Sequence, residues 1–598
     1  MLRAVDMTPV ASLRRWLVGG TAFVAATLLL AGWAPAGQQA APDPDGADGR
    51  VTLSIVGTTD LHGRVFPRDG HGGLALLGGY LRNLRAARAA DGGAVLLLDA
   101  GDTFQGGVTS DISEGLLVVD AYNALGYDAL AIGNHEFEYG AVDTATGSAA
   151  ADMRGALKAA AARARFPFLA ANVIDTATGR PVAWPNVRPS AIVDAAGLRV
   201  GIVGVMTYDG LTRTLAANVG GLDTTALSPT VEREARHLRR RGVDLVLVLA
   251  HAGGQCARFD DPADLTSCDD NSEIFRLARR LPRGLVDGIV AGHSHRALAH
   301  EVAGIPIVQA WSWGRAFARL DLTVERGAGV VSARPFPPRA VCAAVAPDGS
   351  CATDGAAPSY EAAPVRPDAS IVAAMQPELD RVNRWRAEPL GIPLEVGFTR
   401  NRDGIESAVG NLFADAMRAA VPDADLAIGM GARRGGLRRG LPAGPLTRGP
   451  LFDVFPFDNR IATLVMTGAQ LRQALARQLI RGWGGIPSVS GVRVRVACDG
   501  PRPELEILRP SGTPVAPTET LIVAATDFFA ARATRDAAVT RREPSLAMAP
   551  LVRDAVATWL STRGGRLRAA ELTTPPRWEA SDAGTCLAGN GRDRRRPA

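Results

Sequence analysis

Two histidines one residue apart follow an apolar run in the middle of the chain. His293 and His295 stand in the segment Ala291-Gly292-His293-Ser294-His295, directly after residues 286–290, which the sequence predicts to be a buried strand. Alternate side chains of a strand share a face, so just past its end the two imidazoles could converge on one point or bracket two. A lone pair of this kind is more typical of a solvated loop, so its interpretation depends on other polar clusters.

Polar side chains also follow four other apolar runs that the sequence predicts to be strands. They are Asp60 and His62 after residues 51–56, Asp102 after residues 94–98, Asn134 and His135 after residues 129–132, and His251 after residues 245–250. Open α/β sheets place their sites at the carboxyl edge of the strands. We therefore expect these clusters to be neighbours in space, although they are far apart in the sequence.

Carboxylate, imidazole and amide oxygen together suit a divalent ion such as Mn, Zn, Mg or Fe. One carboxylate can bridge two such ions about 3.5–4 Å apart, and Asp102 is the natural candidate. A pair of ions would clamp a phosphate and lower the pKa of a bound water. His135 is adjacent to the candidate ligand Asn134 and so should point elsewhere. There it could stabilise phosphoryl charge or protonate a leaving oxygen.

The chain is long enough for two or more domains, with 598 residues, a hydrophobic fraction of 47% and a charged fraction of 21%. These fractions are ordinary for a soluble globular protein. The net charge is +5, and the basic residues are scattered, which argues against a nucleic-acid polymer as partner. Strands that alternate with helices predict a layered α/β domain.

Composition and apolar patterning predict six segments. They are a signal peptide at 1–36, a linker at 37–50, a catalytic domain at 51–340, a linker with a helix at 341–392, a second domain at 393–575 and a tail at 576–598. The apolar run at 16–32 is short for a membrane span and precedes small residues at 34–36, so we expect cleavage. The alternative is an uncleaved anchor. After cleavage we expect a periplasmic or secreted protein without stable membrane insertion.

Six cysteines are consistent with an oxidising compartment, and six allow 15 connectivities. We predict disulfides between the near neighbours Cys256 and Cys268 and between Cys342 and Cys351. By elimination, Cys498 would pair with Cys586. None of the six has the paired spacing of a structural zinc site.

Five motifs together resemble the calcineurin-like metallophosphatases. They are Asp60-x-His62, Gly101-Asp102, Gly133-Asn134-His135-Glu136, His251 and Gly292-His293-Ser294-His295. Their order and the second domain resemble the 5′-nucleotidase family, which also holds periplasmic 2′,3′-cyclic-nucleotide phosphodiesterases. The resemblance covers about residues 51–575. It implies a layered α/β/β/α metallophosphatase domain followed by a smaller α/β substrate-binding domain.

The resemblance also implies a role for individual residues. One ion would be held by Asp60, His62, Asp102 and His295, and a second by Asp102, Asn134, His251 and His293; the ions could be Mn, Zn, Mg, Co or Fe. His135 would be the catalytic histidine. The family often has Asp three residues later to orient it, and here that position is Glu138.

In the second domain, the resemblance implies that Phe457 and Phe528 stack on a nucleobase, that Asn459 bonds the base, and that Arg433 contacts phosphate or ribose. Two departures concern the nucleoside. The family usually has Gly-Gly-Asp shortly after the second aromatic, whereas this chain has Arg532-Ala533-Thr534, and an expected arginine is Ile405. The metals and the base site lie in different domains, so closure must bring them together.

We therefore expect an exported, monomeric phosphohydrolase with two metal ions, acting on small nucleotides as a 5′-nucleotidase. The alternative is a 2′,3′-cyclic-nucleotide 2′-phosphodiesterase and 3′-nucleotidase. A thiosulfohydrolase, against which the aromatic pair argues, and a non-catalytic metal-binding module are further alternatives. We expect His71, His237 and His300 at the surface, and Trp311 and Trp313 in the wall of the site or the core.

Overall fold

The apolar runs of the sequence form β-sheets covered by helices in a computed structural model of the chain. It describes residues 49–142, 152–400, 406–431, 436–481, 486–497, 503–537, 539–542 and 549–580. Several predictions lie outside these residues: the signal peptide, most of the 37–50 linker, the tail beyond residue 580, the Cys498–Cys586 pair, and the assignments of Arg433 and Ile405. Within them, no helix has the length and apolar character needed to cross a bilayer.

The helices are α1 (Leu74–Ala90), α2 (Val108–Ile112), α3 (Leu116–Leu125), α4 (Gly155–Arg163), α5 (Leu227–Arg240), α6 (Glu273–Arg280), α7 (Ala369–Ala387), α8 (Ala408–Ala419), α9 (Arg448–Val454), α10 (Gly468–Arg481), α11 (Asp527–Ala537), α12 (Val552–Thr562) and α13 (Ala569–Thr573).

The strands of the first half are β1 (Arg50–Thr58), β2 (Ala94–Asp99), β3 (Ala129–Ala131), β4 (Phe168–Leu169), β5 (Val173–Asp175), β6 (Arg180–Pro181), β7 (Val187–Arg188), β8 (Ser190–Ala195), β9 (Leu198–Met206), β10 (Leu222–Thr224), β11 (Leu245–His251), β12 (Gly288–Ala291), β13 (Ala297–Val302), β14 (Ile305–Ala310), β15 (Ala316–Glu325) and β16 (Gly329–Ala340).

Those that follow are β17 (Ala344–Val345), β18 (Cys351–Ala352), β19 (Ser359–Tyr360), β20 (Ala363–Pro364), β21 (Pro389–Leu394), β22 (Leu426–Ile428), β23 (Gly444–Thr447), β24 (Ile461–Thr467), β25 (Val489–Ser490), β26 (Arg493–Ala497), β27 (Glu504–Leu508), β28 (Thr520–Thr526), β29 (Thr540–Arg541) and β30 (Trp578–Ala580).

Two large sheets make up the first half of the structure. The first has the order β16-β15-β1-β2-β3-β4-β7, in which β1, β2, β3, β4 and β7 run parallel to one another. The second has the order β13-β14-β12-β11-β9-β8, with β9, β11, β12 and β14 parallel. The parallel strands are buried on both faces, which explains why they read as continuous apolar runs in the sequence.

Three apolar clusters show that the layers are helix, sheet, sheet and helix. One lies between α1, α3 and α4 and the first sheet, with Tyr80 and Tyr122 fully buried. A second fills the space between the two sheets, and a third lies between the second sheet and helices α5 and α6. This is the predicted α/β/β/α architecture.

The C-terminal part contains a smaller sheet with the order β25-β22-β28-β24-β29. Helices α8 and α12 pack in one apolar cluster with it, and α10 and the small sheet β27-β26-β30 pack in another. Helix α7 connects the two parts: Arg82 on α1 bonds Asp368 at its start, and Arg386 near its end bonds both oxygens of Asp453 on α9. Cys256 is joined to Cys268 and Cys342 to Cys351, as predicted.

The apolar pattern did not predict every element of the first half. Strand β16 contains Pro335, Pro337 and Pro338 and is largely exposed; a strand tolerates proline at a sheet edge, which is where β16 lies. The surface placement of His300 was wrong, because it is fully buried on β13, where its ring lies 5.9 Å from that of Phe259. Trp311 and Trp313 are exposed in the turn between β14 and β15 and so do not belong to the core, although the ring of Trp313 lies 5.8 Å from that of His295.

The two sheets approach each other closely near the strand ends that carry the predicted ligands. Gly57 lies on β1 opposite Val290 on β12, and a Cβ added at Gly57 would lie 2.5 Å from Cγ1 of Val290. Valine is stiff at χ1 and cannot swing away. The absence of a side chain at Gly57 therefore sets the spacing of the two sheets at this edge.

We predict that Gly57→Ala lowers the free energy of unfolding by about 1–3 kcal/mol, because the added methyl group overpacks the layer between the sheets. Val290→Ala should relieve the clash, so the double variant should lose less stability than the sum of the two single variants. Urea denaturation of the four proteins measures this coupling. Strict additivity would contradict the assigned contact.

Candidate metal centre

All seven predicted metal ligands lie at one edge of the paired sheets. Asp60 and His62 follow β1, Asp102 follows β2, Asn134 follows β3, His251 ends β11, and His293 and His295 follow β12. These strands run parallel within their sheets, so their carboxyl ends meet. The first sheet contributes four of the seven side chains and the second contributes three.

The first group of side chains consists of Asp60, His62 and His295. Their ligand atoms lie within 4.8 Å of one another. Nε2 of His62 is 2.9 Å from Nε2 of His295, which in turn is 3.3 Å from Oδ1 of Asp60. Asp60 is fully buried, whereas the side chain of His295 is 37% exposed, so the group opens to solvent at His295.

The second group consists of Asp102, His251 and His293, again within 4.8 Å, with Asn134 beside them. Nε2 of His251 lies 3.1 Å from Oδ2 of Asp102, 3.0 Å from Nδ1 of His293 and 3.2 Å from Oδ1 of Asn134. The backbone N–H of His293 donates to Oδ2 of Asp60 at 3.0 Å, which ties the two groups together.

Two of the imidazoles are fixed by carbonyl groups behind them. Nδ1 of His62 bonds the carbonyl of Gln105 at 2.8 Å, and Nδ1 of His251 bonds the carbonyl of Ala100 at 2.8 Å. A carbonyl only accepts, so Nδ1 carries the proton and Nε2 is left to bind an ion. Burial lowers the pKa of His62 to about 4 and that of His293 to about 4, which favours the neutral form that a ligand needs.

The donor set fits a divalent cation. Oδ1 of Asp60 is buried and accepts no hydrogen bond from any described residue, although a buried carboxylate oxygen normally has a partner. It faces Nε2 of His295, next to Nε2 of His62. A buried carboxylate oxygen beside converging imidazole nitrogens is a metal-binding arrangement. The resemblance of the five sequence motifs to calcineurin-like metallophosphatases implies divalent ions as well.

The loops that carry the ligands share an unusual backbone conformation. Five ligand residues have positive φ angles: Asp60 at 51°, His62 at 50°, Asp102 at 56°, His293 at 74° and His295 at 55°. Asp and His are enriched among the non-glycine residues that adopt this region. Each such residue costs on the order of 1–3 kcal/mol, and the cost persists only where surrounding contacts impose the conformation.

Glu136 supplies such contacts, and the sequence analysis assigned it no role. Its buried carboxylate accepts backbone N–H groups from Asp102 at 2.9 Å, Thr103 at 2.6 Å and Gly133 at 2.7 Å. It thereby holds the loop after β2 to the loop after β3. Burial, together with the nearby Asp102, raises the pKa of Glu136 to about 7.

Asp99, at the end of β2, is a second buried carboxylate that the sequence analysis did not single out as functional. Oδ2 accepts from the hydroxyl groups of Thr58 at 2.6 Å and Tyr122 at 2.8 Å. Oδ1 accepts from the N–H of Gly101 at 2.8 Å and the hydroxyl of Thr103 at 2.8 Å. The sequence did not indicate this role, because an acidic residue at the end of an apolar run resembles the first residue of a solvated loop.

His135 lies beside the two ligand groups but belongs to neither. Its Nδ1 lies 3.2 Å from Oε1 of Glu138, an ion-pair distance, and its Nε2 lies 4.0 Å from Oδ2 of Asp102. Burial opposes its charge, but Asp102 and Glu138 outweigh burial and raise the pKa of His135 to about 10. The protonated imidazole is therefore the favoured form.

His135 and Glu138 line a cavity of about 400 Å³ that both parts of the chain share. We call it the shared cavity. Phe457, Asn459 and Phe528 line it from the C-terminal part. Phe528 is 48% exposed, whereas Asn459 is buried and donates from Nδ2 to Oδ1 of Asp527 at 2.5 Å. The predicted catalytic and base-binding residues thus already surround one space.

Arginines that the sequence analysis did not single out as substrate ligands also line the shared cavity. The guanidinium of Arg438 lies 5.2 Å from the ring centroid of Phe457, and that of Arg532 lies 4.2 Å from the ring centroid of Phe528. Both are cation–π distances. Arg532 occupies part of the segment that replaces Gly-Gly-Asp, so the departure from the family pattern places a cation against one predicted stacking ring.

Comparison with known protein families agrees with the order of the two parts. The calcineurin-like phosphoesterase family matches residues 53–297, and the 5′-nucleotidase C-terminal domain matches residues 389–539. The first match contains all seven predicted metal ligands and His135, and the second contains Phe457, Asn459 and Phe528.

Individual relatives are distant. Endonuclease YhcR of Bacillus subtilis is 25% identical over 469 residues, which are 74% of this chain and 34% of that protein. A 5′-nucleotidase of Vibrio cholerae is 29% identical over 306 residues, 47% of this chain and 50% of that protein. The chain thus spans half or less of the length of these two relatives. Protein UshA of Escherichia coli is 26% identical over 521 residues, 81% of this chain and 86% of UshA.

Solved structures share the fold. A 5′-nucleotidase precursor from Thermus thermophilus matches with a TM-score of 0.57 and 24% identity, over 88% of this chain and 99% of that one. A putative 5′-nucleotidase from Staphylococcus aureus matches with a TM-score of 0.62 and 16% identity, over 88% of this chain and 99% of that one. The chain thus contains a calcineurin-like phosphoesterase match followed by a 5′-nucleotidase C-terminal domain match, and it is similar to 5′-nucleotidases in sequence and fold.

Proposed function

We propose that the protein is a metal-dependent phosphohydrolase that removes phosphate from nucleoside 5′-monophosphates. The observation that carries the proposal is that two ligand groups lie beside His135, and that His135 lines one cavity with Phe457 and Phe528. The first feature suits phosphate chemistry, and the second suits a planar base.

We assign Asp60, His62 and His295 to one ion and Asn134, His251 and His293 to another, with Asp102 shared between them. When bound, two divalent ions would offset the negative charge of a phosphoryl group and make water more acidic. The protein's own part is to hold the ligand atoms in place through Glu136, Asp99 and the carbonyl groups behind His62 and His251.

We assign His135 the role of proton donor. Its ring faces the shared cavity, Glu138 orients it through Nδ1, and Nε2 is directed towards Asp102. A protonated imidazole there can stabilise charge on the phosphoryl oxygens and deliver a proton to the departing oxygen of the nucleoside.

The nucleoside would occupy the shared cavity with its base near Phe457 and Phe528. An aromatic platform of this kind accepts any nucleobase, because every base has a π-face. The bond from Asn459 to Asp527 uses one N–H of the amide, so the second N–H and the amide oxygen can bond the base. The role predicted for Arg433 stays a proposal, and Arg438 is one of the arginines that line the cavity.

The alternative, a 2′,3′-cyclic phosphodiesterase with 3′-nucleotidase activity, would use the same residues. A panel of 5′-, 3′- and 2′,3′-cyclic nucleotides, assayed with Mn, Zn, Mg and Co, distinguishes the two. The proposal predicts the highest kcat/KM for a 5′-monophosphate. Preference for a cyclic substrate would replace it with the alternative, and absence of turnover with every metal would overturn both.

We further propose that the protein is exported and acts as a monomer on small nucleotides. The two disulfides support an oxidising compartment, where such bonds persist. Edman sequencing of the mature protein tests the cleavage predicted after residue 36.

We predict that His135→Ala lowers kcat on a 5′-monophosphate about 10²–10⁴-fold, because the proton donor is lost, while metal content stays unchanged. Steady-state kinetics and elemental analysis of the same preparation measure both. Retention of at least a tenth of the activity would exclude His135 as the donor.

Metal content should respond to the two ligand groups separately. We predict that Asp60→Ala and His251→Ala each lose one of two bound ions per chain, because each variant removes a ligand of a different ion. Inductively coupled plasma mass spectrometry after dialysis counts the ions. His237→Ala, at an exposed position on α5, is the matched control and should retain both. Loss of both ions or of neither in the ligand variants would contradict the assignment.

Removal of a stacking ring should weaken substrate binding more than chemistry. We predict that Phe528→Ala raises KM for a 5′-monophosphate about fivefold to 100-fold, because stacking contributes about 1–3 kcal/mol per base. Phe528→Tyr should keep KM close to that of the unaltered protein. An Ala variant with unchanged KM would remove Phe528 from the binding site.

A further inference from the structure

An exposed aromatic ring lies beside the metal centre and outside the lining of the shared cavity. Trp313 belongs to the turn between β14 and β15, residues 311–315, which we call the tryptophan turn. Its side chain is 43% exposed, and its ring centroid is 5.8 Å from that of the predicted ligand His295. The part of the chain that lines the shared cavity does not include Trp313 or His295.

Four aromatic rings form a row from the cavity to this turn. The ring centroids of His135 and His62 are 5.0 Å apart, those of His62 and His295 are 4.8 Å apart, and Trp313 follows at 5.8 Å. His135 faces the cavity, and His62 and His295 belong to the first ligand group. The two imidazoles of the first ligand group therefore link His135, which lines the cavity, to Trp313, which does not.

The backbone holds Trp313 in this position at some cost. Trp311 and Trp313 have positive φ angles of 45° and 62°, which are rare for bulky residues and typical of functional sites. The N–H of Trp313 donates to the carbonyl of Asp60 at 2.7 Å, and the N–H of Trp311 donates to that of Arg296 at 2.8 Å. The turn is thus fastened to the ligand loops.

Positively charged side chains lie near the exposed ring of Trp313 in the sequence and the structure. The guanidinium of Arg315 lies 4.8 Å from the ring centroid of Trp313, and Arg296, next to His295, is exposed. A ring that keeps a large exposed area beside the Arg315 guanidinium suits a planar group attached to an anion. Apolar side chains alone would not provide this complementarity.

We propose that Trp313 and Arg315 form a second ring-binding site, which takes the planar group on the far side of the phosphate in a phosphodiester. The inference rests on the proposed function and extends it from monoesters to diesters with a ring-bearing group on each side, such as dinucleoside phosphates. One nucleoside occupies the shared cavity, and the base of the other stacks on Trp313.

The reaction remains a hydrolysis. The oxygen of water forms a bond to phosphorus while the bond from phosphorus to the 5′-oxygen of the cavity nucleoside breaks with its electron pair. The departing oxygen takes a proton from His135, and the water loses its two protons to His135 and to solvent. The products are a nucleoside and a phosphomonoester that keeps the second nucleoside.

Two diesters of equal charge isolate the contribution of the ring. One is a dinucleoside phosphate, and the other is the methyl ester of the same nucleoside 5′-phosphate. We expect the intact protein to favour the dinucleoside phosphate in kcat/KM by about tenfold, and Trp313→Ala to abolish this preference. Trp313→Phe should retain most of it, because a ring remains, and it covers the case in which the Ala variant fails to fold.

Trp311→Ala is the matched control, since it removes an exposed tryptophan from the same turn whose ring lies 6.3 Å from that of Phe259. It should keep the preference. Equal kcat/KM for the two diesters in the intact protein, or an equal loss of preference in the two Ala variants, would overturn the inference. If 5′-monophosphates are hydrolysed in that case, the proposed function stands; if no nucleotide is hydrolysed, the proposed function itself has failed.

Discussion

The metal centre depends on buried carboxylates that hold ligand loops in a left-handed backbone conformation. Five ligand residues have positive φ angles, which no run of ordinary loop residues would adopt together without support. Glu136 accepts four N–H groups from two loops, and Asp99 fixes the start of one of them. These carboxylates bind no ion in our assignment, yet the positions of the ligands follow from them.

The second constraint is the close approach of two sheets. Parallel strands end at the same edge, so the first sheet brings Asp60, His62, Asp102 and Asn134 to the place where the second brings its three histidines. Gly57 permits this approach, because any side chain there would meet Val290. The substrate-side groups come from the far part of the chain, and the shared cavity joins them to His135 without a rearrangement of the described residues.

The sequence predicted the fold and the clustering of the candidate ligands, for a physical reason. Buried parallel strands read as uninterrupted apolar runs, and a polar residue just beyond such a run stands out. Each candidate ligand was singled out by its place after a predicted strand, and the structure brings these residues to one edge of the sheets. Edge strand β16 was missed because its prolines and exposed residues resemble a loop.

Contacts between distant segments were not predictable in this way. Nothing near Glu136 in the sequence indicates that it would accept N–H groups from residues more than 30 positions away. Arg438 and Arg532 face the cavity only because the two parts pack together, and the exposure of Trp313 depends on a turn whose backbone conformation no local pattern indicates. Strand ends can be read from one sequence, but partners across an interface cannot.

The most direct measurement of the central claim is an anomalous difference map from crystals grown with Mn²⁺. The account predicts two peaks about 3.5–4 Å apart, one beside Asp60, His62 and His295 and the other beside Asn134, His251 and His293, with Asp102 between them. A single peak, or peaks away from these side chains, would contradict it.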